Sequence, residues 1–136
     1  MIYIVYGAPC SGKTTYVQQH IKDNDIVWDW DAVEFSFNGL SYQEKNQNIN
    51  RFMKRVRRLF IDECIINTSV SDKWIILTNL NQKLIDELDA VDEIKIYQMQ
   101  TSKEECVSRL SATARKDKDE LLQVIEDWFN KYDEWW

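Results

Sequence analysis

Near its start the chain carries Gly7-Ala8-Pro9-Cys10-Ser11-Gly12-Lys13-Thr14, which follows the spacing G-x-x-x-x-G-K-[ST] without a mismatch. That spacing holds phosphates. The two glycines let the backbone curl so that successive N–H groups point at an anion, and a helix after the loop adds the positive end of its dipole. Lys13 would reach the outer phosphates and the Thr14 hydroxyl would sit on Mg²⁺. The nucleotide-binding set is therefore Gly7, Ala8, Pro9, Cys10, Ser11, Gly12, Lys13, Thr14 and Thr15, and the implied cofactors are ATP, or another nucleoside triphosphate, and Mg²⁺. A second group able to do chemistry is Asp29-Trp30-Asp31. Asp29 can partner Thr14 at the metal, directly or through water. Asp31, two residues on and projecting from the same edge, can accept the proton of an acceptor hydroxyl. The plainer alternative for both is a helix-capping or solvated loop aspartate.

These groups need elements to position them. Ile2-Tyr3-Ile4-Val5-Tyr6 is an apolar strand feeding the loop, and Thr14 to about Asp23 has helical spacing. Ile26-Val27-Trp28 is a second strand ending at the acidic pair, and Ala32 to Gly39 reads as irregular or a short helix. Ser41 with Glu44 forms the capping-box pattern ahead of one long helix from about Tyr42 to Ile66. Within that helix Arg58-Leu59-Phe60-Ile61-Asp62-Glu63 imitates a strand ending in an acidic pair. However, Ile49, Phe52, Met53, Val56, Leu59, Phe60 and Cys64 recur at three- and four-residue steps, which favours the helix. Trp74 to Thr78 is the third strand, Gln82 to Leu88 a short helix and Ile94 to Met99 the fourth strand. Thr101 and Ser102 can cap a helix running to about Ala112. After a charged segment, a last helix places Leu121, Ile125, Trp128, Tyr132 and Trp135 on one stripe, a pattern typical of core packing.

Strands alternating with helices predict an α/β, three-layer fold: a short parallel sheet of about four strands, covered by helices on both faces. Ligands bind at the carboxyl ends of strands in such sheets. The loop, Asp29 to Asp31, and Thr78-Asn79 would all meet there. At 136 residues the chain suits one domain, residues 1–136, and three glycines, two of them in the loop, leave little flexibility elsewhere. A net charge of −6 argues against a broad nucleic-acid-binding face, although a local basic patch remains open. The sequence shows no signal-peptide pattern and no run of membrane-spanning length, so no membrane partner is expected. Three widely spaced cysteines form no C-x-x-C pair, which fits a reducing cytoplasm.

The loop followed by Asp29-Trp30-Asp31 resembles the small P-loop kinases, the group with shikimate, gluconate and adenylate-type nucleotide kinases and polynucleotide 5′-kinases. The short chain with Trp128 and Trp135-Trp136 near its end is also similar to small phage-encoded P-loop ATP-binding proteins, which would put it in a host cytoplasm. The resemblance implies a P-loop NTPase fold in which Asp29 serves the metal and Asp31 the acceptor. It implies, too, that Arg109 and Arg115, in a lid segment at about 109–120, steady the transferring phosphate. Third-strand residues Thr78-Asn79 stand where many relatives place a metal-serving aspartate, which leaves Asp29 alone in that role. In such kinases the segment between the second and third strands often holds the acceptor, which makes Arg51, Arg55 and Arg58, with Lys54 and Arg57 beside them, candidate acceptor-binding residues. A solvated helix face, balanced by acids elsewhere, also explains those cations and is the plainer reading.

The reading is an ATP/Mg²⁺-dependent phosphotransferase acting on a nucleoside, nucleotide or polynucleotide 5′ end. Two rivals stay open. One is a partner-coupled ATPase using Asp62 and Glu63; the other is a nucleotide-binding accessory protein without turnover, docking a protein partner through its aromatic C-terminal helix.

Overall fold

A computed structural model describes residues 1–38, 49–67 and 71–132. Strands β1 (Ile2–Tyr6), β2 (Ile26–Trp28), β3 (Lys73–Leu77) and β4 (Ile94–Gln98) alternate with helices α1 (Lys13–His20), α2 (Trp30–Asn38), α3 (Asn50–Ile66), α4 (Gln82–Asp89), α5 (Lys103–Ser111) and α6 (Lys118–Tyr132). The sheet has the order β2-β3-β1-β4 and every pairing is parallel. Parallel strands need crossovers that return the chain to the same edge, and the helices supply them.

The period of two along β1 sorts its side chains between two cores. Ile2 and Ile4 join Trp28, Ile75, Met53, Ile61, Cys64 and Leu88 on the face covered by α3 and α4. On the other face Val5 meets Trp74, Ile76 and Val17 of α1. Tyr6 extends the first face into a third cluster with Cys106 and Leu110 of α5 and Ile125, Trp128 and Tyr132 of α6. Both faces are thus covered, and the three-layer α/β fold is the one expected for a P-loop-like chain. Two polar anchors fix α6: the Trp128 indole N–H donates to the Thr78 carbonyl at 2.7 Å, and the Tyr132 hydroxyl accepts from the Leu80 N–H at 3.0 Å. The aromatic stripe of this helix faces inward as far as Tyr132; Trp135 and Trp136 lie outside the described residues.

Two local differences from the sequence reading have plain causes. The segment after the second strand is helical from Trp30, so Asp31 lies in the first turn of α2 and not on a strand edge. A carboxylate is favoured in that turn by the helix dipole. Ser102 caps α5, its hydroxyl accepting from the Glu105 N–H at 3.2 Å, whereas Thr101 turns away and donates to the Ser11 carbonyl at 2.7 Å. The apolar spacing of the long helical segment holds as predicted: α3 is a helix through Ile66, so Asp62 and Glu63 occupy a helix and not a strand tip. The expected start of that helix, with Ser41 and Glu44, lies outside the described residues. Among the described residues no helix is long and apolar enough to cross a membrane.

Candidate functional site

β1 is a central strand, and its carboxyl end opens directly into the glycine-rich loop. The loop is pinned on both sides of the sheet: the Gly7 N–H donates to the Leu77 carbonyl of β3 at 3.2 Å, and the Met99 N–H to the Tyr6 carbonyl at 2.9 Å. Cys10 and Gly12 both take positive φ, 63° and 89°. Gly12 needs no side chain to bear that conformation, while Cys10 holds it despite its Cβ. Gly7 is required for a different reason, because a Cβ there would lie 2.6 Å from Ser11 Oγ and 2.8 Å from Met99 Cβ.

Above the loop, a cleft of about 760 Å³ is lined by Pro9 to Thr15, Trp28 to Ala32, Glu34, Phe35, Arg57, Ile76 to Thr78, Arg115, Asp117, Leu121 and Val124. This is the size range of small-molecule sites. Lys13 Nζ folds over the loop and donates to the carbonyls of Gly7 at 2.6 Å and Ala8 at 3.0 Å. Burial pushes its pKa down to about 8, against the upward pull of Asp31 and Asp29. An ammonium so short of water is poised to gain from an incoming anion. Ser11 Oγ is buried and without a hydrogen-bond partner among the described residues. An unsatisfied hydroxyl, a desolvated cation and two left-handed residues flanking Ser11 suit a phosphate chain.

The second strand delivers the acids. The Thr14 hydroxyl donates to Asp29 Oδ2 at 3.0 Å, linking the first turn of α1 to the end of β2 across fifteen residues. Asp29 also stands at the start of α2, where its carbonyl accepts from the Val33 N–H at 3.1 Å, so the capping and site positions coincide. Asp31 opens into the cleft, whose walls thin the water around it. Desolvation, then the nearby Asp29 charge, raise its pKa above the ordinary 3.8, with Arg115 and Lys13 pulling the other way. A Thr–Asp pair is too small a donor set to cage a metal alone, and among the described residues no group of three His, Cys, Asp or Glu could do so. Mg²⁺ does not need one, because it keeps several waters and takes phosphate oxygens as ligands. The residues present therefore fit it.

The expected arginines divide. Arg115 lines the cleft, and Asp117 holds its guanidinium through two bonds of 2.9 and 3.1 Å. Arg109 lies on the loop's outer side: its Nη1 donates to the Cys10 carbonyl at 3.2 Å and its Nη2 pairs with Glu105 at 2.7 Å. The lid segment at 109–120 is the end of α5, a short link and the first residues of α6. On α3, Arg51 and Arg55 are exposed and do not line the cleft. Arg58 turns to α4 instead, pairing with Glu87 at 2.6 Å and Asp62 at 2.8 Å. Arg57 is the α3 cation that reaches the cleft, its guanidinium 5.6 Å from the centre of the Trp30 ring. The sequence held a signal for it, since Arg57 is four residues from both Met53 and Ile61, two of the buried positions of α3. Glu63 is bonded to Asn67 beyond the helix end, and neither it nor Asp62 lines the cleft. His20 stacks on Tyr16, outside the cleft lining.

Compared with known protein families and with curated proteins, the chain matches none. Among solved structures it is similar to a chain of the Pnkp1/Rnl/Hen1 RNA repair complex, with a TM-score of 0.65 and 18% identity. The match covers 97% of this chain and 46% of that one, so this chain spans less than half of its neighbour's length. At that identity the likeness is one of fold.

Proposed function

We propose that the chain is an ATP- and Mg²⁺-dependent phosphotransferase of the P-loop kinase type, whose acceptor is a hydroxyl of a nucleoside, a nucleotide or a polynucleotide 5′ end. The observation that carries this reading is the convergence of Lys13, the Thr14–Asp29 pair and Asp31 in one cleft. A simple hydrolase needs no second compartment, yet this cleft continues past the loop to Trp30, Phe35 and Arg57, where an acceptor has room. The likeness in fold to part of an RNA repair complex supports an acceptor of the nucleic-acid class.

In this reading the loop N–H groups and Lys13 cradle the β- and γ-phosphates. Thr14 and Asp29 would hold Mg²⁺, which when bound would neutralise charge on those phosphates. Asp31 accepts the proton of the acceptor hydroxyl as its oxygen forms the new bond to the γ-phosphorus and the bond to the leaving ADP oxygen breaks. Arg115, aimed by Asp117, spreads positive charge over the equatorial oxygens. Arg109 braces the loop at Cys10 and contributes through loop position.

The test mixes the protein with Mg²⁺ and γ-labelled ATP, adds nucleosides, nucleotides and 5′-hydroxyl oligonucleotides, and follows the label. Label on an acceptor is expected from the native chain, and none from Lys13→Ala. Lys13 Nζ bonds carbonyls of its own loop, Gly7 and Ala8, and joins no two elements of the sheet, so that variant is expected to keep its melting transition. Free phosphate as the sole labelled product overturns the kinase reading.

A further inference from the structure

Beside the cleft lies a second cavity of about 180 Å³, between α3 and the start of α4. Its walls include Lys54, Arg57, Arg58, Lys83, Asn81 and Glu87. Arg57 is shared: it lines both this cavity and the main cleft. Arg58 is already matched by Glu87 and Asp62, and that trio ties α3 to α4. Lys54, Arg57 and Lys83 bring three further cations to the same wall, on a chain whose net charge is −6. Concentrating cations at one cavity of an acidic protein creates a local attraction for anions that the overall charge does not predict.

The order of features along this surface is informative. From the acidic pair outward come Trp30, then Arg57 stacked on it at 5.6 Å, then Lys54, Arg58 and Lys83 around the smaller cavity. Phe35, on the same cleft wall as Arg57, is 46% exposed, a second aromatic ring partly accessible there. Aromatic surfaces interleaved with cations are what a single-stranded nucleic acid requires, because bases stack on the former and the backbone follows the latter. An acidic peptide would use the cations but would have no need of a route into the cleft.

We propose that the α3–α4 cavity is a subsite for the phosphodiester backbone of a single-stranded polynucleotide whose 5′ end lies in the cleft, handed from one to the other by Arg57. The favoured acceptor is then a strand of several nucleotides and not a free nucleoside. The inference rests on the phosphotransferase reading of the cleft, but the cavity can be tested separately from it.

The experiment measures binding of a 5′-hydroxyl hexanucleotide with a 3′ fluorophore, by anisotropy without ATP, across a range of salt concentrations. A nucleoside 3′-phosphate and hexaglutamate serve as competitors. The native chain is expected to bind the hexamer at least tenfold more tightly than the mononucleotide. In Lys54→Ala/Lys83→Ala the log–log salt slope should flatten by about 1.4, the value for two phosphate contacts to a single strand. The length margin should shrink with it. Both lysines are exposed, and the paired Gln variant with a melting curve guards against a folding defect. An unchanged slope and margin, or hexaglutamate competing as well as the hexamer, overturns the subsite. Lysine-dependent binding with no label transfer from ATP upholds the subsite and overturns the phosphotransferase reading. Label transfer to oligonucleotides that ignores both lysines does the reverse.

Discussion

The two walls of the cleft are built by different means. The loop wall is a single stretch of chain held by backbone bonds and cross-ties: Gly7 to Leu77, Thr101 to Ser11 at 2.7 Å, Arg109 to Cys10 at 3.2 Å, and Lys13 to the loop's own carbonyls. Its geometry depends on local φ values and on the absence of a Cβ at Gly7. The facing wall comes from α2, α3, the α5–α6 link and α6, and its side chains Phe35, Glu34, Arg57 and Val124 belong to no common motif. On the proposed function, the loop wall meets a phosphate, the same ligand in every nucleotide, which a fixed backbone cradle would serve. An acceptor varies, and the wall that meets it is made of side chains that can be exchanged without disturbing the sheet.

If the walls divide the work in this way, the largest effect outside Lys13 should come from Asp31, where they meet. Asp31→Asn is expected to lower kcat by 10²- to 10⁴-fold, the usual contribution of a positioned base, while nucleotide affinity changes little. The pH profile sharpens the point. Desolvation and Asp29 raise the Asp31 pKa, so the carboxylate form needed to take a proton appears only at a pH above the ordinary 3.8. The native kcat/KM profile should therefore fall on an acidic limb displaced upward from that value, and the residual activity of the Asn variant should lack the limb. A limb that survives in the variant assigns it to another group.

Arg57→Ala should act on acceptor KM more than on kcat, raising KM about tenfold and leaving the ATP KM within a factor of two. The reason is geometric: Arg57 lies over Trp30 on the facing wall, away from the loop. Losing a cation stacked on an aromatic ring accounts for about 0.5–2 kcal/mol, and a lost phosphate contact adds to it. Equal rises in both KM values would mean that the walls are not separable.

Much of the loop wall was legible in the sequence because a tight glycine-rich turn is a backbone property written in local spacing. Residues 7 to 15 form the turn and first helical residues that the motif requires, and Thr14 does meet Asp29. The four strands, too, stand where their apolar runs place them. The facing wall was only half legible. Asp-x-Asp after a strand reads with a period of two, which puts Asp31 on the strand edge, whereas α2 begins at Trp30 and the same spacing becomes part of a helical turn. On α3, five cations fall within eight residues, and only their phase against the buried positions separates them. Which one enters the cleft depends on the rotation of the helix against the sheet, and Arg57 wins because it is in line with Met53 and Ile61. Arg58, one residue on, is turned by 100° and is claimed by Glu87, a partner 29 positions away that no local pattern reveals.

The pH response of nucleotide binding isolates the loop wall. In the empty protein Lys13 loses its proton near 8, and in the unfolded chain near the ordinary 10.5. Between those values the unfolded state holds more protons, so folding stability should gain as pH rises through that window. Nucleotide binding runs the other way. A bound phosphate favours the ammonium, so binding above pH 8 takes up a proton and affinity falls by as much as tenfold per pH unit, while below pH 8 this group leaves it flat. Calorimetry in buffers of different ionisation enthalpy checks both slope and proton uptake. Affinity that is level from pH 7 to 9.5 would mean that Lys13 is charged in the empty loop throughout.

The smallest expected effect is the most discriminating between mechanisms. Glu63→Gln should change phosphotransfer and ATP hydrolysis by less than twofold. Glu63 lies in the last turn of α3, exposed, with its carboxylate engaged by Asn67 just past the helix end. An ATPase that activates water with this residue would need it at the tip of a strand beside the loop, and β3 instead brings Thr78 there. Turnover that collapses in the Gln variant would require α3 to shift so that its acidic end enters the cleft. That shift would withdraw Met53, Ile61 and Cys64 from the core they share with Ile2 and Ile4, so the variant and the native chain would also differ in melting temperature. Unchanged melting with lost turnover is the one combination that neither wall, as built here, can accommodate.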